Sequence, residues 1–361
     1  MRVHLLALPN VQTTAAYSLD GFCTRTRLFA KLLKDLGHTV ILYGSEENDA
    51  PCDTFVSCLT KSEQQAMLGE LPYQAYVPDV ASPLCITFNS RAATRVRTTK
   101  QHGDVLATIG GSAQVTVWEQ NPELLFLEYS IGYRGICFGA SARVFQSHSW
   151  RHVVHGFTGV DGGRLYDAVI PPWFPVADFP YVSNPDPYVV YCGRVTEVKG
   201  ITTACKAAEA AGVPLVVIGH GDPSLVTYGE FKGAVSDEAR NQILAHATAC
   251  LMPTGYLEPF GNVAAEAQLC GTPVIGPDYG AFVETIEQGV TGYRCTYLGE
   301  FVQAIHDCAD LDRRVIRERA VRLYSEEAGR ENYRQYFTRL EMLQREGWNS
   351  LTPVSANLAL A

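Results

Sequence analysis

The stretch that most constrains the fold is residues 251–276, LMPTGYLEPFGNVAAEAQLCGTPVIG. Leu251 and Met252 close an apolar run that reads as a short buried strand, and Val274, Ile275 and Gly276 open another. Between them Thr254, Gly255 and Tyr256 make a loop. Asn262 suits a helix N-cap, and the Ala-rich run after it reads as a helix. Gly271 stands where a left-handed residue would end that helix, with Pro273 as a stop. Strand, loop, helix, strand is a crossover unit, which commits the chain to a parallel sheet.

Two carboxylates flank the helix start. Glu258 lies on the loop, and Glu266 lies eight residues on, within the helix. The free N–H groups and positive dipole end between them favour an anion. Each carboxylate can accept hydrogen bonds from hydroxyl groups. A ligand with an anionic middle and a hydroxyl-bearing group at each end fits this arrangement, and a nucleotide sugar is one. An ordinary crossover with two surface glutamates has the same spacing, so the reading depends on partners elsewhere in the chain.

At 361 residues the chain is long for one domain, and two are expected. A net charge of −9 argues against a nucleic-acid-coated surface while leaving a local basic patch open. The eleven cysteines include no CxxC pair and fall mostly in apolar contexts such as Cys250 and Cys270. That usage leads to the expectation of a reduced, cytoplasmic chain with free thiols. The N-terminus, MRVHLLALP, suits a first buried strand better than a signal peptide. No run reaches the roughly 18 apolar residues of a membrane span.

In chain order, residues 3–8 form the first expected strand, a helix covers about 22–36, and HTVILYG (38–44) is the second strand. Ser18, Leu19, Asp20 and Gly21 in the intervening loop are a candidate anion or acceptor contact. PLCITFN (83–89) reads as a strand. The run after it carries Arg91, Arg95, Arg97 and Lys100 without an acid, either a solvated helix face or a patch for an anionic acceptor. Strands are expected at 104–111, within 115–129 ending near Glu128, and at 142–150 running into a loop at His148. Glu128 and His148 would then stand at strand carboxyl ends, where open α/β sheets place ligands. Residues 171–187 hold six prolines, which remove donors and fix φ, so they read as a linker. Beyond it the alternation restarts at YVVYCGRV (188–195) and VPLVVIGHG (213–221), and residues 300–345 read as helical. The expected domains are 1–170, a linker at 171–187, 188–330, and 331–361 as a closing helix and tail.

On the loop after the first strand of the second domain stand Gly193, Arg194 and Lys199. Arg194 and Lys199 can reach a phosphate pair from one loop. Together with Gly219-His220-Gly221 and Glu258…Glu266 they make an ordered set of pieces, each at an expected strand carboxyl end. GRVTEVKG (193–200), VVIGHGDP (216–223), LMPTGYLEPFGN (251–262) and GTPVIGPDYGAFVETIEQGVTG (271–292) resemble the GT4-type retaining glycosyltransferases of GT-B fold. The resemblance is strong over about 188–295, modest over 1–45 and poor over 45–150.

It implies two Rossmann-like α/β domains facing each other across a cleft, with the donor held by the second. It further implies Arg194 and Lys199 on the diphosphate, Glu258 on donor sugar hydroxyls, Glu266 on the ribose, and backbone amides from Gly261 to Val263 on sugar or phosphate. Gly193, Gly219, His220, Phe260 and Asn262 complete the donor side, and Ser18, Gly21, Glu128 and His148 are acceptor-side candidates. The family is metal-independent and needs no cofactor besides the donor substrate. Asp310 and Asp312 lie in an expected helical region and make a poor metal site. The family's Gly-Gly pair in the first loop is replaced here by Ser18-Leu19-Asp20-Gly21, and no catalytic His is evident. The implied reaction moves a sugar from a nucleoside diphosphate to an acceptor hydroxyl. A sugar-nucleotide epimerase using Glu128 and His148, or a non-catalytic nucleotide-sugar-binding module, would use the same donor site. The acceptor stays open, and so do peripheral membrane and nucleic-acid contacts.

Overall fold

A computed structural model of the chain describes residues 1–18, 20–137, 139–161 and 166–347. The chain divides into two compact units. The first comprises Met1–Phe145, Gly162–Ile170 and Arg330–Ala361, and the second Gln146–Asp161 and Pro171–Gly329.

The first unit is built on a parallel sheet of β1 (Arg2–Leu6), β2 (Thr39–Gly44), β3 (Thr54–Ser57), β4 (Val105–Thr108), β5 (Leu125–Ile131), β6 (Ala142–Phe145) and β7 (Ala168–Val169). Their order is β3-β2-β1-β4-β5-β6-β7. The helices are α1 (Gly21–Asp35), α2 (Lys61–Leu68), α3 (Pro83–Thr99) and α4 (Val115–Glu119). α3 corrects the strand expected at 83–89. Pro83 opens it, and the Ser82 side chain accepts a hydrogen bond from the Cys85 amide. Leu84, Phe88, Ala92 and Val96 recur every four residues and are all buried, a helical stripe that a seven-residue window hides. α2 carries a capping box, Thr60 with Glu63, a signal legible in the sequence as T-x-x-E.

The second unit holds α5 (His148–Thr158) and a sheet of β8 (Val189–Cys192), β9 (Leu215–Ile218), β10 (Glu230–Gly233), β11 (Ala249–Leu251), β12 (Val274–Pro277) and β13 (Gly292–Cys295). Every pairing is parallel, in the order β10-β9-β8-β11-β12-β13. The order reverses between β8 and β11, so that pair flanks the ligand-binding crevice of such sheets. Alternation along β8 feeds two helical layers. Val189 and Tyr191 join the core beneath α6 (Ile201–Ala211) and α10 (Leu298–Asp307). Val190 and Cys192 join the core beneath α7 (Asp237–His246), α8 (Asn262–Leu269) and α11 (Arg313–Tyr324). α9 (Phe282–Thr285) is a single short turn.

Residues 171–187 carry only one helical turn, at Val176–Asp178, as six prolines require. α12 (Glu326–Glu346) starts in the second unit and joins the first at Arg330. There Tyr333 is fully buried, 5.1 Å from the Phe29 ring. Residues 348–361, the expected tail, lie outside the described residues. No described helix is long and apolar enough to cross a membrane.

Candidate functional site

The crevice between β8 and β11 is made by glycines that let backbones meet. A Cβ on Gly200 would stand 1.8 Å from the Pro253 carbonyl oxygen, at a φ of +80°. A Cβ on Gly219 would stand 1.9 Å from the Gly193 carbonyl oxygen. Only glycine permits these approaches. The Gly255 amide donates to the Val198 carbonyl at 2.8 Å, so the loop after β8 is tied to the loop after β11.

A cavity of about 250 Å³ opens there, lined by Arg194, Lys199, Glu258, Gly261, Asn262 and Val263 among others. The Lys199 Nζ lies 3.0 Å from the Glu258 Oε2 and donates to the Tyr256 hydroxyl. It also sits 4.7 Å above the Tyr256 ring. Arg194 is exposed at the rim and makes no ion pair among the described residues. The helix cap is Gly261, in the left-handed region at φ +80°, and Asn262 is the first helical residue. This corrects the expected Asn262 cap. With glycine as the cap, no side chain covers the Asn262 and Val263 amides, and both residues line the cavity.

Glu266 sits one turn along α8, nearly buried, with the Arg240 Nε 3.7 Å from its Oε2. Burial, and then the Glu266 charge, push the Cys192 thiol up to about 12. Cys192 itself lines the cavity. Phe260 is buried, its ring edge-on to Tyr324 at 5.5 Å, so its side chain serves the core and only its neighbours reach the cavity. His220 is exposed, and its carbonyl accepts from the Val195 amide at 2.8 Å. Of the expected donor-side residues, Gly193, Arg194, Lys199, Glu258, Gly261, Asn262 and Val263 line this cavity, and Gly219, His220, Phe260 and Glu266 do not. Tyr256 and Arg240 were missed. Tyr256 was visible two residues before Glu258, but its contact with Lys199 spans 57 positions.

Of the acceptor-side candidates, Ser18, Gly21 and Glu128 belong to the first unit and His148 to the second. Ser18 and Gly21 are exposed, and the Asp20 carboxylate accepts from the Phe22 and Cys23 amides at 2.9 Å each. The start of α1 is thereby closed by its own acid, not left for an anion. Glu128 lies within β5, fully buried, and not at its carboxyl end. It accepts from the Tyr133 hydroxyl at 2.9 Å and the Cys137 amide at 2.9 Å, and Arg143 stands 3.9 Å away. His148 begins α5, which belongs to the second unit, and its amide donates to Glu284 at 2.8 Å. Burial lowers its imidazole below the usual value. The basic run on α3 is partly consumed. Arg91 grips Glu63 through two 2.8 Å hydrogen bonds, and Lys100 pairs with Glu123.

Asp312 caps α11, accepting from the Arg314 amide at 2.8 Å. Among the described residues no group of three or more His, Cys, Asp or Glu side chains is placed to hold a metal. A second cavity of about 470 Å³, lined by Lys206, Asp278, Tyr279, Tyr297 and Phe301 among others, shares only Thr254 with the first.

Residues 186–310 match the family described as glycosyl transferases group 1. The segment is a group 1 glycosyltransferase domain. It contains every donor-side residue named above and none of the acceptor-side candidates. A phosphatidyl-myo-inositol mannosyltransferase of Propionibacterium freudenreichii is 31% identical over 39% of this chain and 40% of its own length. A GDP-mannose-dependent alpha-mannosyltransferase of Corynebacterium glutamicum is 26% identical over 41% of this chain and 36% of its own. The chain thus matches less than half of each of these curated relatives. Solved structures resemble the fold across nearly the whole chain. AviGT4, a glycosyltransferase involved in avilamycin A biosynthesis, has a TM-score of 0.65 at 20% identity, covering 94% of this chain and 98% of its own. Anabaena HepE in complex with UDP-glucose has a TM-score of 0.64 at 16% identity, covering 95% of this chain and 100% of its own. The glycosyltransferase domain thus sits in a chain of GT-B class with two parallel-sheet α/β units.

Proposed function

We propose that the chain transfers a sugar from a nucleoside diphosphate sugar to an acceptor hydroxyl with retention at the anomeric carbon. The observation that carries this reading is the crevice between β8 and β11. It places Lys199, Arg194, Glu258 and the uncovered start of α8 around one cavity. Lys199, Arg194 and the Asn262 and Val263 amides take the departing diphosphate, whose charge grows as the glycosidic bond breaks. Glu258 accepts from donor sugar hydroxyls, and Glu266 from the ribose. The acceptor oxygen bonds to the anomeric carbon on the face the diphosphate leaves, and its proton passes to the leaving phosphate oxygen. No metal is required in this scheme. The GDP-mannose in one relative's name and the UDP-glucose bound to HepE make these the first donors to try.

The test is acceptor-dependent release of nucleoside diphosphate from UDP-glucose and GDP-mannose, with NMR of the product's anomeric configuration. Release that persists in EDTA, with retained configuration, is the expected result. Inversion would remove the retaining scheme. Failure to bind any nucleoside diphosphate would remove the donor site.

A further inference from the structure

Lys199 bridges Tyr256 and Glu258 in an arrangement that assigning one residue to each part of the donor does not explain. Lys199 is bonded to both other residues, at 3.0 Å to Glu258. Burial, and then the Glu258 charge, raise the Tyr256 phenol well above its usual value. The phenol therefore stays protonated. The hydroxyl accepts from the Lys199 ammonium, which also donates to the Glu258 carboxylate. The side chains of Lys199 and Glu258 are 18% and 12% exposed, enough shielding for the pair to matter energetically. Yet the proposed donor needs Lys199 on its diphosphate and Glu258 on its sugar, so the pair cannot persist unchanged in the complex.

We infer that Tyr256 and Glu258 hold Lys199 as a charge-neutral resting latch, which the diphosphate opens and so frees Glu258 for a sugar hydroxyl. This rests on the donor-site reading proposed above. A diphosphate outcompetes one carboxylate for the ammonium because it carries more charge. Tyr256, on the same loop as Glu258, accepts from Lys199 and carries its ring beneath the ammonium, and so sets where Lys199 stands before the diphosphate arrives. It is a positioning residue. The latch couples the two halves of the donor: leaving-group binding at Lys199 prepares sugar binding at Glu258.

The test uses the full chain, calorimetry with inorganic pyrophosphate, UDP and GDP, and steady-state kinetics. Glu258→Gln removes the competing charge, and pyrophosphate should bind about three- to tenfold tighter. The gain should vanish in the Lys199→Ala background, since there is then no cation to release. Tyr256→Phe keeps the ring beneath Lys199 and loses the hydroxyl, so kcat should fall about tenfold with donor KM little changed. A merely structural Tyr256 would not split the two parameters. Equal or weaker pyrophosphate binding by Glu258→Gln overturns the latch, as does absence of pyrophosphate binding in both proteins. Tighter pyrophosphate binding with no affinity for any nucleotide would keep the latch and sink the nucleotide-sugar reading. Unchanged pyrophosphate affinity in an active transferase would sink the latch alone.

Discussion

At the scale of single residues, the charges of the donor site were readable and their pairing was not. Arg194, Lys199 and Glu258 follow from residue type and position at strand ends. Lys199→Ala removes one of the two cations proposed for the diphosphate and also leaves Glu258 without its partner. It should weaken nucleoside diphosphate binding by about 1.5–3 kcal/mol, the scale of a charge-assisted contact, and Arg194→Ala by less because Arg194 is exposed. Calorimetry with UDP and GDP measures both. Glu128 shows the opposite case, a carboxylate whose place in the fold no local pattern reveals. Burial pushes its carboxyl up to about 7 from an ordinary 4.5, against the pull of the Cys137 amide, Tyr133 and Arg143. The folded chain therefore holds a proton that the unfolded chain gives up between those values, so stability falls as pH rises from about 4.5 to about 7 and is flat above. Glu128→Gln stays neutral throughout. The melting temperature of the wild type relative to this variant should drop across that window. A constant difference would show that Glu128 titrates normally.

At the scale of elements, the second unit was legible because its strands are short, apolar and followed at once by glycine-marked loops. The first was harder where a helix disguised itself. The seven residues from Pro83 to Asn89 mix aromatic, β-branched and polar types, and only the repeat through Ala92 and Val96 shows the buried helical stripe. The start of α8 was misplaced by one residue because asparagine is the better cap by propensity. Here a left-handed backbone at Gly261 makes the turn instead. The glycines around the crevice are the elements' most sensitive points. Gly200→Ala adds a Cβ that would stand 1.8 Å from the Pro253 carbonyl at φ +80°, and α6 or the loop after β11 must shift. A loss of about 1–3 kcal/mol in chemical denaturation is expected. Because Lys199 is the preceding residue, nucleotide affinity should fall as well. Gly212→Ala has a similar φ of +68° but meets nothing within 4 Å, so it should leave nucleotide affinity intact.

At the scale of the whole molecule, proline density marked where the second sheet begins, but not that the chain changes unit more than once. Gln146–Asp161 cluster with the second unit, because the Ser147 hydroxyl donates to the Pro259 carbonyl at 2.6 Å and the Ser149 amide to Glu284 at 2.6 Å. Those partners lie more than a hundred positions away, beyond any pattern a window can read. The closing helix α12 returns to the first unit, where Tyr333 fills its core beside Phe29 and Phe337 meets His38 at 4.9 Å. Each unit thus has a separate core, while the donor cavity draws all its walls from the second. Tyr333→Ala should open a void in the first core and cost it about 3–5 kcal/mol, the range for a large buried aromatic. Tyr333 belongs to the first unit. Denaturation of the variant should therefore show two transitions, with the first-unit transition moved to lower denaturant. Saturating nucleoside diphosphate should raise only the other, by the amount set by its concentration over its Kd. A single transition moved as a whole, with ligand protecting all of it, would mean that the two cores unfold together and that α12 stabilises the donor domain as much as the first.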